Sequence, residues 1–138
     1  MLIRHTIALM VTMVLVTGCG GPLWQFPGGA LAGEEKDFRE IVLPASGGVM
    51  ALETNPPDPY SVHVGYVLID GKLYIDPAEA RRWYQNITKD PTIRLRLDGS
   101  DIVYRATAVA ETDPEILASF DADRHVLRME ARPVDAMD

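Results

Sequence analysis

The sequence has a single cysteine, and it has fewer basic than acidic side chains. One cysteine excludes an internal disulfide and a zinc site built from several cysteines. The 13 lysines and arginines against 20 aspartates and glutamates give a net charge of −7. Nucleic acids and anionic lipid surfaces are recognised by basic surfaces, so we expect neither as a partner. His63 and His125 show no metal-ligand spacing, and we expect no metal site.

The sequence also lacks the short motifs that identify common enzyme classes. It contains no P-loop, no dinucleotide-binding glycine fingerprint and no recognisable Ser/His/Asp arrangement, so motifs assign no catalytic residue. Hydrophobic residues make up 47% and charged residues 24% of the 138 residues. That balance is typical of a globular protein, and the length is that of one domain.

An apolar run at the amino terminus has the length of a signal-peptide core rather than of a membrane-spanning helix. Arg4 and His5 precede the run, which covers residues 7–16. It ends in a Val-Thr-Gly-Cys sequence that resembles the bacterial lipobox, whose cysteine is acylated and becomes the first residue of the mature protein. We predict a lipoprotein signal peptide over residues 1–18 and lipidation at Cys19. The alternative is an ordinary signal peptide with an incidental cysteine.

Lipidation of Cys19 would attach the protein to a cell membrane, with membrane lipid as its partner. Gly20, where an aspartate would favour the inner membrane, indicates the outer membrane and a periplasm-facing domain if the organism is Gram-negative. Residues 19–33 are rich in glycine and proline and predict a lipidated tether without regular structure. Trp24 and Phe26 within it would touch the lipid interface or pack on the domain, or they are incidental.

Residues 34–132 carry the patterns of a small β domain, and residues 133–138 are predicted to form a tail. Asp70-Gly71 and Asp98-Gly99 predict tight turns, because these residue types tolerate the positive φ angles of hairpin turns. We predict strands over residues 38–43, 49–54, 60–69, 72–76, 92–97, 102–111 and 125–131.

Two short helices complete the prediction. The first runs from Pro77 to about Lys89, with Asp76 as its cap and Glu79 completing a capping box. The second covers residues 112–120, and residues 34–37 are expected to form a helical turn. These elements predict a mainly β fold with two short helices, either a small barrel or a sandwich.

Part of the chain resembles a known family. Trp83, Asn86 and Pro91 stand at the spacing of the Trp-x-x-Asn-(Leu/Ile)-x-x-(Asn/Asp)-Pro segment of the deazaflavin-dependent nitroreductases. That family belongs to the wider group of pyridoxamine-phosphate-oxidase-like, FMN-binding split β-barrels, and the layout of residues 41–120 is similar to it. The resemblance implies a split β-barrel that holds FMN or a deazaflavin against its strands, and it permits a homodimer.

The resemblance and the side-chain chemistry together suggest six cofactor-binding residues. Arginine suits a cofactor phosphate because its planar fork donates two parallel hydrogen bonds, although solvated surface pairs are the alternative. The histidine would contact a ring or donate a proton, and the tryptophan would stack on a flat ligand, unless both are structural. The asparagine is expected to bond neighbouring backbone. The predicted residues are His63, Arg81, Arg82, Trp83, Asn86 and Arg94.

The sequence departs from the family where the cofactor phosphate would lie. Residues 55–59 carry no positive charge, and Asp76 and Glu79 place two carboxylates in the segment that corresponds to the loop before the family's helix, where they would repel a phosphate. Two functions therefore remain open. The protein is a nitroreductase-like oxidoreductase that uses FMN or a deazaflavin, or it is a non-enzymatic module that binds a small ligand or a protein and has lost the cofactor.

Overall fold

The computed structural model describes residues 26–133. The predicted signal peptide, Cys19, Trp24 and most of the predicted tail lie outside the described residues. Within residues 26–133 there are seven strands, two short helices and one 3-10 turn. The strands are β1 (Glu34–Asp37), β2 (Gly48–Thr54), β3 (Tyr60–Ile69), β4 (Lys72–Ile75), β5 (Thr92–Leu97), β6 (Ile102–Ala110) and β7 (Leu127–Ala131). The helices are α1 (Arg82–Lys89) and α2 (Pro114–Leu117), and the 3-10 turn is Phe38–Glu40.

Six strands close into an antiparallel barrel. Their order around the barrel is β6–β5–β2–β3–β4–β7, and β7 pairs back onto β6. The remaining strand, β1, runs parallel to the first half of β6, beside the end of β7. The predicted fold class, mainly β with two short helices in a barrel, is confirmed.

Alternation along the strands builds the barrel interior. In β5, Ile93 and Leu95 are fully buried, whereas Arg94 and Arg96, which alternate with them, lie on the outer face. The period of two follows from the pleat, which sends successive side chains to opposite faces. The helix α1 adds Trp83 and Ile87 to the same core. The most buried core side chains include Met50, Leu52, Leu73, Ile75, Ile93 and Leu95.

Both hairpin turns that the sequence predicts are present. Asp70 and Gly71 have φ angles of 51° and 74°, the positive values that a primed two-residue turn requires. Gly99 has a φ of 81° in the second turn. These turns set the register of β3 with β4 and of β5 with β6, and therefore determine which side chains enter the barrel.

The predicted strand over residues 38–43 and the predicted helical turn over residues 34–37 are both wrong. Residues 34–37 form β1, because the first half of β6 offers a sheet edge on which they pair. A capping box then starts the 3-10 turn: Asp37 accepts the Arg39 N–H at 2.8 Å, and Glu40 accepts the Asp37 N–H at 3.3 Å. Val42, which follows, is 85% exposed. Local capping and edge pairing overrode the strand preference of this segment.

The predicted start of the first helix is also wrong. The helix α1 begins at Arg82 rather than Pro77, and its N-cap, Arg81, makes no side-chain capping bond. The backbone before it bonds to another part of the chain. The carbonyl of Pro77 accepts the His125 N–H at 3.0 Å, and the carbonyl of Asp76 accepts Arg124 Nη1 at 3.2 Å. Tertiary contacts thus hold residues 76–81 as irregular chain.

A segment before β1 lies against the outer face of the barrel. Gly28 and Ser61 exchange backbone hydrogen bonds of 2.8 and 2.9 Å, and Leu31 is 4% exposed. Arg96 donates to the carbonyl of Ala32 at 2.6 Å. We call residues 28–33 the strap. These residues belong to the tether that the sequence predicts, and in the structure they contact the barrel.

Candidate functional site

A groove lies between β3 and the segment that leads into α1. One wall is formed by residues 60–65 and the other by residues 75–83, with Arg124 and the Phe26-Pro27 pair also lining it. Its volume is about 510 Å³, within the range of small-molecule sites. The late start of α1 creates this second wall, because residues 76–81 run beside the barrel instead of coiling into the helix.

The lining of the groove is basic although the protein is acidic. Of the described residues that line it, Arg81, Arg82 and Arg124 carry positive charge and Asp76 carries negative charge. All three arginines are exposed to solvent and Asp76 is half-buried. Glu79, the second carboxylate that the sequence places here, is not among the lining residues. The expected repulsion of an anion is therefore reduced to one carboxylate among three arginines.

Arg82 and Tyr60 meet across the groove. The guanidinium carbon of Arg82 lies 4.8 Å from the centroid of the Tyr60 ring, a cation–π contact. Tyr60 opens β3 and Arg82 opens α1, so this contact joins the two walls. It places a cation over the face of an aromatic ring, so a flat and anionic ligand would meet a charge and a ring at the same point of the groove.

Trp83 and His63 occupy different environments within the groove lining. Trp83 is 9% exposed and belongs to the main core, so packing accounts for most of its surface. His63 is half-buried on β3, while the flanking Val62 and Val64 pack against the core. This matches the expected alternation. Continuing the antiparallel register of Gly28 with Ser61 places Phe26 opposite His63, at the groove rim.

The other two predicted cofactor-binding residues are not among the groove-lining residues. Asn86 donates from Nδ2 to the Thr54 hydroxyl at 3.0 Å, and that hydroxyl bonds the Tyr60 carbonyl at 3.3 Å. Asn86 therefore bonds a side chain rather than the neighbouring backbone that the sequence suggests, because its helical position faces the end of β2. Arg94 lies on the outer face of β5, ion-paired with Glu53.

Sequence reasoning missed Arg124, which lines the groove from the loop before β7. The pairing of Ile75 in β4 with Leu127 in β7 brings this loop beside residues 76–77. A stack of Tyr84 on His125, with ring centroids 4.4 Å apart and planes 15° apart, fixes the loop against α1. The only signal in the sequence was a basic residue inside an acidic turn, and the barrel topology was needed to place it.

Residues 26–133 contain neither a membrane-spanning helix nor a metal-binding cluster. Neither helix there has the length and apolar content needed to cross a bilayer. In the same range, no group of three or more histidine, cysteine, aspartate or glutamate side chains is arranged to hold a metal ion.

Comparison with known proteins supports the fold and leaves the activity open. No protein-family model matches the chain, and no curated protein sequence matches it. The fold is similar to the crystal structure of a protein of unknown function from Agrobacterium tumefaciens, with a TM-score of 0.50 and 14% sequence identity. The match covers 67% of this chain and 57% of that chain, so this chain spans less than two thirds of its neighbour's length. The shared feature is the six-stranded antiparallel barrel.

Proposed function

We propose that the groove binds a flat ligand with an anionic group, of the FMN or deazaflavin class, in a protein anchored to a membrane by acylated Cys19. The observation that carries this proposal is the placement of Arg81, Arg82 and Arg124 around one groove in a chain of net charge −7. Arginine forks bond phosphate or carboxylate oxygens in pairs, which gives orientation as well as affinity.

The residues present fit such a ligand. The anionic group would lie against the three arginines, and the ring system against Tyr60 and the exposed edge of Trp83, all of which line the groove. The resemblance of residues 80–95 to deazaflavin-dependent nitroreductases supports the same ligand class. A bound flavin or deazaflavin would supply hydride transfer, while this chain would bind, orient and partly desolvate it. On this proposal the protein is a nitroreductase-like oxidoreductase.

One observation favours a second candidate. Asp76 lies among the arginines of the groove, and its carboxylate disfavours a dianionic phosphate more than a monoanion. A non-enzymatic module that binds a smaller, singly charged ligand would suit this lining as well. The two candidates differ in ligand and share the same groove.

A titration of the whole protein in non-ionic detergent tests the proposal. FMN, FAD and a deazaflavin cofactor are each added while protein fluorescence is recorded. Saturable quenching by at least one of them is expected. If none of the three binds and a small aromatic carboxylate does, the second candidate replaces the first. If nothing binds, the groove is not a ligand site of this class.

A further inference from the structure

A second cavity lies on the outer face of the barrel and has the chemistry of an anion site. We propose that this cavity binds one small oxyanion, a phosphate or a carboxylate group, between Arg94 and Arg132. Its volume is about 250 Å³, and Thr92, Glu35 and Glu53 also line it. Among the described residues, none lines both this cavity and the groove. The inference is therefore independent of the proposed function.

Two backbone carbonyls hold the guanidinium of Arg132 in place. Its Nε lies 3.3 Å from the carbonyl oxygen of Ala106, and its Nη2 lies 3.1 Å from that of Ile93. Across residues 26–133, no carboxylate lies within ion-pair distance of its guanidinium. The two backbone bonds fix the plane of the fork, so an incoming oxyanion meets an oriented cation rather than a mobile side chain.

Arg94 supplies a second guanidinium, of which Nε and Nη2 are hydrogen-bonded to a carboxylate and Nη1 is not. Its Nη2 and Nε bond the Glu53 carboxylate at 2.6 and 2.9 Å. Its Nη1 is 3.7 Å from the nearest Glu35 oxygen, which is longer than a hydrogen bond. The Glu53 charge is thus matched by Arg94 at close range, and Nη1 retains capacity to donate to an oxyanion.

Three guanidinium groups lie close together beside the cavity. Arg105 is the third guanidinium, with its Nε 4.0 Å from Glu35. The carboxylates near the three arginines are Glu35, Glu53 and Asp90. Burial lowers the pKa of Arg132, and the nearby positive charges of Arg105 and Arg94 lower it further, while Glu35 and Asp90 offset part of that effect. A bound oxyanion would relieve this repulsion.

Two prolines make part of the cavity lining rigid. Pro56 and Pro59 line the cavity, and each proline ring fixes its own φ angle. The loop that carries both prolines contains a turn in which the Asp58 N–H donates to the Asn55 carbonyl at 3.0 Å. Asn55 Nδ2 also donates to the Asp58 carbonyl at 3.0 Å. The cavity is therefore preformed, which lowers the entropy cost of binding.

The test is a nitrogen-15 NMR titration of the whole protein in detergent micelles at constant ionic strength. The probes are inorganic phosphate and acetate, added separately. We expect saturable shifts at the Thr92 and Ile93 amides and at the Arg132 Nε–H with at least one probe. The probe that binds more tightly distinguishes a phosphate from a carboxylate ligand. Shifts confined to the groove, or shifts that rise without saturation, would overturn the proposal.

Variants locate the binding on Arg132. Arg132→Gln is expected to weaken the binding seen at Thr92 by about ten-fold or more, since it removes one charged donor. Arg124→Gln, the same change in the other cavity, should leave it unchanged. If Arg132→Gln does not fold, Arg132→Lys keeps the charge and loses the fork, and it should still weaken binding. Equal affinity in the wild type and a folded Arg132 variant would contradict the site.

Discussion

Glu53 and Arg94 form a two-point ion pair across the neighbouring strands β2 and β5, with N–O distances of 2.6 and 2.9 Å. The same two side chains hold the strap by bonding both backbone groups of Leu31. Glu53 Oε2 accepts the Leu31 N–H at 2.7 Å, and Arg94 Nη2 donates to the Leu31 carbonyl at 3.1 Å. One ion pair thus joins two strands to the segment that leads towards the predicted lipid anchor.

Glu53→Gln is expected to lower the free energy of unfolding by about 3 kcal/mol, because it removes the charge that bonds Arg94 at two points in a largely buried position. It should also increase the hydrogen exchange of the Leu31 amide. Urea unfolding and exchange measurements check both effects. Glu34→Gln, at an exposed position of β1, is the control and should change stability by less than about 0.5 kcal/mol. An unchanged Leu31 exchange rate in Glu53→Gln would show that the ion pair does not hold the strap.

Trp83→Ala should cost about 3–5 kcal/mol of unfolding free energy, as expected for a large core side chain. The side chain is 9% exposed and packs in the main core. Thermal and urea unfolding measure the loss, and Lys89→Ala on the exposed side of the same helix serves as the control. A shift of only a degree or two in the melting temperature would assign Trp83 to ligand contact rather than to the core.

Stability should depend on pH through Glu111. The Asp113 N–H, followed by the Arg128 side chain and the Thr112 N–H, lowers the pKa of Glu111 from 4.5 to about 2. A carboxyl group whose pKa is lower in the folded than in the unfolded protein stabilises the fold, and the full stabilisation is present at pH values above the unfolded-state pKa. This stabilisation is lost as the pH falls through the folded-state pKa of about 2. Unfolding of the wild type and Glu111→Gln, measured from pH 7 to pH 2, should show a difference that is constant above about pH 4.5 and shrinks below it.

The control for that experiment is Glu115→Gln, at an exposed position of α2. The difference between this variant and the wild type should stay small across the same range. A wild-type advantage over Glu111→Gln that persists unchanged down to pH 2 would mean that Glu111 titrates near its ordinary pKa.

Arg82→Gln and Arg124→Gln should each weaken ligand binding in the groove by about ten-fold, because each removes a charged hydrogen-bond donor from the lining. The two arginines come from different parts of the chain, so a common effect would place the anionic group between them. Lys89→Gln makes the same charge change on α1 outside the groove and should leave affinity unchanged. If all three variants bind equally, the attraction is a general charge effect rather than a site.

Local sequence patterns predicted those elements that short-range chemistry determines. The Asp70-Gly71 turn and the alternation of Ile93 and Leu95 with Arg94 and Arg96 specify a hairpin and a half-buried strand without reference to the rest of the chain. The structure has these elements at the predicted residues, β3 and β5. Several such hairpins arranged around one helix predicted a barrel or a sandwich, and the resemblance to split β-barrels selected the barrel.

Elements that depend on distant parts of the chain were not predictable in this way. The Asp76-Pro77 pattern is a good helix start, yet bonds from Arg124 and His125 to the carbonyls of these two residues hold them in the groove wall. The same contacts bring Arg124 to the groove, where it joins Arg81 and Arg82. The site is thus a product of the β4–β7 pairing, and the sequence showed only two of its three arginines.

The most direct test of the central claim uses the fluorescence of Trp83. The chain has two tryptophans, so a Trp24→Phe variant of the whole protein reports on the groove alone. Titration with FMN and with a deazaflavin cofactor should quench Trp83 saturably, and an added Arg82→Gln change should shift the curve to higher ligand concentration. No saturable quenching by either ligand, or identical curves with and without Arg82, would contradict the proposed ligand site.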